Sequence, residues 1–134
     1  YTNQKIPIYG NGLNIRDWIF VEDHVRILIE ISRKGSKGEI YNIGARQEIK
    51  NINLVKEVCK ILDRKIPKKN KHNKLINFVK DRLGHDYRYS LSTKKIENEF
   101  NFKPKNKFIL NLEKTVDWYL VNIKWLKNKY KKIQ

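Results

Sequence analysis

The sequence predicts a mixed α/β fold built from a few short strands and about four helices, and three observations carry that prediction. Compact β-branched and aromatic runs bounded by glycine occur at residues 6–9, 15–21 and 39–44, each too short for a helix. Between and after them, apolar residues recur at helical spacing over residues 25–31, 52–62 and 108–123. The length of 134 residues suits one domain or part of one and falls short of a two-lobed nucleotide-cofactor enzyme.

Taken in order, Ile6-Pro7-Ile8-Tyr9 reads as an extended piece that ends in Gly10-Asn11-Gly12, where glycines supply the positive φ of a turn. A strand begins near Ile15, and Glu22-Asp23 offers a helix start before Val25, Leu28 and Ile29, with Gly35 closing that helix in the C′ position. Residues 39–44 form the next predicted strand. Asn51 is placed as an N-cap, ahead of a stripe of Ile52, Val55, Cys59 and Leu62 that stops before Pro67. Residues 65–74 are polar, basic and aperiodic, which predicts an exposed loop. Leu75 to Val79 is read as extended, and the charged segment that follows contains Gly84, a helix breaker. Ser92 or Thr93 caps a short helix pairing Ile96 with Phe100, and Phe102-Lys103-Pro104 makes its exit. Phe108, Leu112, Thr115, Tyr119 and Asn122, widened by Ile109, Val116 and Ile123, predict one long amphipathic helix. Trp18, Trp118 and Cys59 are read as core.

Composition narrows the setting. A single cysteine has no internal disulfide partner, which predicts a reducing, cytoplasmic location. No run approaches the ~20 apolar residues of a membrane span, so no membrane association is expected. The chain starts with Tyr, so it is expected to be a piece of something longer, and no signal peptide is read at its start. The net charge of +16 raises the question of nucleic acid. Lysine is nevertheless spread over most of the chain, without an RNA-binding or helix-turn-helix signature, and specific nucleic-acid binding is not expected.

The ordered motifs carry more. Pro7-Ile8-Tyr9-Gly10, Ile15-Arg16-Asp17-Trp18, Val21-Glu22-Asp23-His24 and Tyr41-Asn42-Ile43-Gly44 together resemble the extended short-chain dehydrogenase/reductases. Asp81-Arg82-Leu83-Gly84-His85-Asp86, followed by Arg88-Tyr89, is similar to the Asp-Arg-Pro-Gly-His-Asp-x-Arg-Tyr segment of the dTDP-glucose 4,6-dehydratases. Lys114-Thr115-Val116-Asp117-Trp118-Tyr119 resembles that family's Lys-Thr-Val-x-Trp-Tyr helix. The resemblance runs to about residue 122. It implies the C-terminal, substrate-binding lobe of a Rossmann-like enzyme over residues 1–122 and an absent N-terminal half; residues 123–134, outside the resemblance, are read as a basic helical tail.

What the resemblance implies chemically is a reaction in which NAD takes a hydride from sugar C4, water leaves across C5 and C6, and the hydride returns to C6. The NAD loop, the Tyr-x-x-x-Lys pair and the acid residues of that reaction precede the matched region. No Gly-x-x-Gly-x-x-Gly follows a strand here, so no catalytic, cofactor-binding or metal-binding residue is assigned and the piece is expected to be inactive alone. The substrate's nucleotide end remains. Arg16 matches the residue implied to hold the diphosphate, a role that suits a planar guanidinium fork. Asn51 is expected to add amide donors at a helix N-terminus. Asp81, Arg82, Leu83, Gly84 and His85 complete the implied pocket, with Pro7, Ile8 and Tyr9 as the wall against the base. Each has a plainer rival: Arg16 pairing with Asp17, Asn51 capping only, His85 as a structural histidine and Tyr9 as core filling.

Leu83 stands where that family has Pro, which removes a fixed φ from the loop. The implied partners are a dTDP-sugar and, for the full-length enzyme, a second copy in a homodimer. Lacking its other lobe, the piece is expected to expose apolar surface. The alternative reading is a stand-alone basic module that uses the same scaffold for phosphate-rich ligands or nucleic acid.

Overall fold

The computed structural model describes residues 2–131; residue 1 and residues 132–134, the end of the expected basic tail, lie outside them. The elements run β1 (Ile6–Tyr9), β2 (Ile15–Asp17), α1 (Val21–Lys34), β3 (Glu48–Lys50), α2 (Asn51–Lys65), one 3₁₀ turn (His72–Leu75), β4 (Ile76–Val79), α3 (Lys94–Phe100), α4 (Phe108–Val121) and α5 (Ile123–Lys131). β1 pairs in parallel with β4, from Ile6 opposite Ile76 to Tyr9 opposite Val79. Such a pair needs a long crossover, and α1, β3 and α2 lie within it. β2 pairs antiparallel with β3, Arg16 opposite Ile49.

The core centres on Ile27, Ile96 and Phe102, joined by Ile19, Ile31, Tyr41, Ile43 and Phe100. α2 buries Ile52, Cys59 and Ile61 and packs against α4 and the 3₁₀ turn. Burial raises the Cys59 thiol pKa above its ordinary value, which keeps it protonated and inert.

Several expectations are corrected. Residues 39–44 carry no ladder; the strand after α1 is β3 instead, because its amides and carbonyls meet β2. Ile40 stays 82% exposed. α1 begins at Val21, and Asp23 is no cap: it is 2% exposed, accepting a hydrogen bond from Arg26 Nη2 at 2.9 Å and the Lys105 amide at 3.3 Å. The face with Val21, Val25, Leu28 and Ile29 is left exposed. Gly35 does end α1, yet at φ −66°; glycine is required there because a Cβ would sit 2.6 Å from the Ile31 carbonyl. Thr93 stands at the N-cap of α3 without bonding a backbone amide, its hydroxyl bridging Arg46 and Glu97. The long C-terminal helix breaks at Asn122, whose amide and side chain both bond the Trp118 carbonyl, at 2.9 and 2.8 Å. Trp118 is 48% exposed rather than core, packed edge-on against Tyr119 and Trp125. Trp18 is only half-buried, its indole N–H donating to the Ile49 carbonyl at 3.3 Å.

The basic stretch 65–74 is not all loop. His72 is buried, its amide donating to Asp63 at 2.8 Å and its Nδ1 lying 2.6 Å from the same oxygen. The backbone bond first, and the ring bond second, hold the Asp63 carboxyl below its ordinary 3.8. A carboxylate depressed in the folded state adds stability above its unfolded pKa, and that stability disappears as pH falls through the lower folded value. The melting temperature is therefore expected to drop as pH is lowered below about 4, and less steeply in Asp63→Asn. Equal slopes for the two proteins in a pH series of thermal melts would remove this role.

Candidate functional site

β2 and the segment after β4 meet at Ile15. Its amide donates to the Tyr87 carbonyl at 2.7 Å, and its carbonyl accepts from the Tyr89 amide at 3.1 Å. This stitch brings the 81–90 loop alongside Arg16. The Arg16 guanidinium donates to the Ile15 carbonyl at 2.7 Å and to the Asp86 carbonyl at 3.0 Å, and its Cζ lies 4.4 Å from the Tyr89 ring centre. Guanidinium carries five N–H donors, so the fork is oriented by two bonds and a stacked ring, and its remaining donors have no hydrogen-bond partner among the described residues. Asp17 does not neutralise it: its carboxylate accepts the amides of Ala45, Arg46 and Gln47 at 2.8–3.2 Å, which turns the chain into β3.

The 81–85 loop is held from inside. Asp81 Oδ1 accepts from the Arg82 amide at 2.9 Å and pairs with His85 Nδ1 at 2.7 Å. The His85 bond, helped by the Arg82 amide, holds the Asp81 carboxyl below its ordinary range against the opposing effect of desolvation. With Nδ1 directed to a carboxylate, Nε2 is left for other partners. The His85 ring is also set edge-on to Tyr9, centroids 6.3 Å apart. Gly10 is required beneath this loop: it sits at φ +55°, and a Cβ would approach Asp81 Oδ2 to 2.7 Å. Arg16, Tyr9 and the 81–85 loop are thus linked through His85, Asp86 and Tyr89.

Other candidates are placed differently. Along β1 side chains alternate: Pro7 and Tyr9 are exposed, whereas Ile8 is buried. Asn51 is the first residue of α2 and Lys50 is the N-cap, which corrects the capping expectation. The Asn51 and Ile52 amides are occupied by the Asn14 and Gly12 carbonyls at 2.9 and 3.0 Å, so those helix-end donors are not open to an anion. Asn51 Oδ1 is buried without a partner.

Arg82 and Leu83 point outward, Leu83 being 100% exposed, and a Cβ on Gly84 would meet nothing within 4 Å. Leu83 and Gly84 form a turn with Gly84 at φ +66°. A positive φ at the second central position accompanies φ near −60° at the first, where proline is favoured. Among the described residues the Leu83 amide has no hydrogen bond to lose. Leu83→Pro is therefore expected to stabilise the chain by about 0.4–1 kcal/mol, read as a higher urea midpoint; a lower midpoint would mean that the turn holds another geometry.

Sequence reasoning left Asn14, Glu48, Asp86 and Tyr89 without roles, although Asp86 and Tyr89 lie inside the quoted motif. Asn14 is buried and donates to the Asp86 carbonyl at 3.2 Å. A cavity of about 280 Å³ lies elsewhere, lined by Trp18, Phe20, Leu54, Phe108 and Leu112 among others. Its walls are mostly apolar, with Gln47, Asn106, Asn111 and Thr115 among them, and its one charge is that of Asp23, unsuited to a phosphate. Among the described residues no cluster of three or more His, Cys, Asp or Glu is placed to hold a metal, and no helix is long and apolar enough to cross a membrane.

A short parallel pair, an antiparallel pair and an oriented arginine beside an Asp–His loop make up the site. Residues 1–115 match the GDP-mannose 4,6 dehydratase family, and the chain belongs to that family. It is similar to the dTDP-glucose 4,6-dehydratase of Shigella flexneri, with 46% identity over 125 residues, 93% of this chain and 35% of that enzyme. The crystal structure of dTDP-glucose 4,6-dehydratase from Bacillus anthracis in complex with NAD superposes with a TM-score of 0.79 and 40% identity, over 91% of this chain and 36% of that one. DesIV, the dTDP-glucose 4,6-dehydratase of Streptomyces venezuelae, with NAD and TYD bound, gives 0.81 and 36% identity, over the same shares. The mixed α/β fold expected from the resemblance to extended short-chain dehydrogenase/reductases is therefore present. The chain spans about a third of the length of these relatives.

Proposed function

We propose that this chain is the substrate-binding, C-terminal portion of a dTDP-glucose 4,6-dehydratase, which converts dTDP-glucose to dTDP-4-keto-6-deoxy-glucose with loss of water. Residues 1–122 form the binding lobe and 123–134 a basic tail, helical over Ile123–Lys131. The complete enzyme is NAD-dependent, cytoplasmic and a homodimer in this reading. The observation that carries it is Arg16, set on Tyr89 and oriented by two carbonyls, with free donors for a diphosphate. The 46% identity to an enzyme of that name supports the sugar nucleotide over the family's broader description.

We assign the roles as the resemblance implies them, and the geometry supports that assignment. Arg16 takes the diphosphate oxygens bidentately, and Tyr9 offers its exposed ring to the base, with Pro7 beside it and Ile8 anchoring the strand from behind. The Asp81–His85 loop, with Arg82, Leu83 and Gly84 at its tip, closes over the ligand, and Asn51 contributes its side-chain amide. The residues present do not fit NAD. The start of α2 has its first amides occupied by the Asn14 and Gly12 carbonyls, and no glycine-rich turn leads a strand into a helix here. The cofactor and all chemical steps are therefore assigned to the remaining part of the enzyme. The exposed apolar face of α1 suits a lobe that packs against more protein.

The test is calorimetry of the chain with dTDP, together with an assay for the 4-keto product from dTDP-glucose and NAD. Binding without turnover is expected. Turnover by this chain alone would sink the reading, as would a salt-sensitive shift with generic RNA that dTDP does not compete, which would favour a basic nucleic-acid module.

A further inference from the structure

The geometry points to Glu48 as a positioning residue that holds Tyr89 and the Asp86 carbonyl under Arg16, one step removed from any ligand. This inference rests on the binding reading of Arg16 above.

Within the 86–90 segment the Tyr89 hydroxyl donates to the Asp86 carboxylate, which fixes the far end of the ring relative to Asp86 but not the segment as a whole. Tyr87 and Tyr89 are both more than half exposed, and the backbone is tied in at two points, by the two bonds at Ile15 and by the Asp86 carbonyl, which accepts from Arg16 and Asn14. Apolar burial therefore does not fix the ring that supports Arg16. Glu48, on β3 opposite Asp17 of β2, anchors the segment from the residues on either side of Tyr89. Its carboxylate accepts Arg88 Nε at 2.8 Å and Arg88 Nη2 at 2.9 Å, and also the Ser90 hydroxyl at 2.5 Å.

Arg88 and Ser90 flank Tyr89. Next to a bridge, neighbouring side chains leave an extended backbone on opposite sides. Glu48 thus takes the residues on either side of Tyr89, and the Tyr89 ring is presented to Arg16. The two-point fork on Arg88 is the strong form of an arginine–carboxylate pair, and three hydrogen bonds converge on one carboxylate. The pair is partly exposed, with side chains 54% and 32% accessible, so its contribution is that of a positional clamp more than of bulk stability. It also engages the Arg88 fork, so that Arg88 is not offered to a phosphate.

Calorimetry with dTDP on the chain tests this. Glu48→Ala is expected to weaken dTDP by about five- to tenfold, whereas Glu48→Ala added to Arg16→Ala should cause no further loss. The exchanged pair Glu48→Arg with Arg88→Glu should recover most of the affinity. Independently of any ligand, amide hydrogen exchange at Ile15 and Tyr89 should accelerate in Glu48→Ala, while the Ile96 amide in α3 is unchanged. Fully additive losses, or unaltered exchange at Tyr89, overturn the inference. If the unmodified chain binds no dTDP, the binding reading fails by itself, and the exchange measurement still decides the clamp.

Discussion

Arg16→Ala is expected to weaken dTDP binding by about 2–3 kcal/mol, roughly 30- to 150-fold, with the fold intact. The magnitude follows from what is lost. A charge-assisted, two-point contact to phosphate is worth about twice a neutral hydrogen bond, and the guanidinium is already oriented by the Ile15 and Asp86 carbonyls and the Tyr89 ring. Little ordering is then left to be done on binding. Arg16→Lys should recover only a part, since an ammonium keeps the charge but has neither the fork nor the flat face that rests on Tyr89. Calorimetry gives the affinity, and a thermal melt checks that the variant is folded. An unchanged dissociation constant in a folded Arg16→Ala protein would reduce this arginine to a structural tie between β2 and the 81–90 loop.

The largest effect on stability is expected at Ile96. Its side chain is 0% exposed and packs with Ile27 and Phe102 at the centre of the core. Ile96→Ala removes buried methylene and methyl groups and leaves a cavity between α1 and α3, which costs about 2–5 kcal/mol. Set against the 5–15 kcal/mol of a typical domain, a loss of about 3 kcal/mol makes the unfolded population rise more than a hundredfold. A urea titration reads it as a lower midpoint with an unchanged slope. Ile40→Ala is the matching control: that residue is 82% exposed, and its truncation should stay within about 0.5 kcal/mol. Equal midpoints for the two variants would mean that Ile96 is not central to the core.

Local chemistry was enough to place most of the elements. Proline and glycine around residues 7–12, the Ile52 to Leu62 stripe, and the Thr93 start of α3 are signals within a few residues of the feature they specify, and each falls where it was read. The errors share one cause. A strand exists only where a neighbour completes its ladder, so Tyr41 and Ile43 went to the core edge while Glu48–Lys50 paired with β2. Asp23 and His72 look solvated in sequence, and both are buried because their partners, Arg26 with the Lys105 amide and Asp63 with two bonds, come from the fold. The break at Asn122 was hidden because apolar spacing continues through Ile123 and only the doubled bond to the Trp118 carbonyl marks it.

By itself the sequence determined the class of fold, the family resemblance, and the residues on which a diphosphate reading rests, because ordered motifs and short-range turn and helix chemistry are written along the chain. Only the tertiary structure decided which of those residues meet. Arg16 and Asp86 are 70 positions apart, and nothing local to either specifies that a carbonyl of one orients the guanidinium of the other. The same holds for Glu48, which has no motif of its own and meets Arg88 and Ser90 only because β3 brings its carboxylate within reach of them. Hydrogen bonds and stacking act over a few ångströms, so their partners are chosen by the packing that brings distant segments into that range.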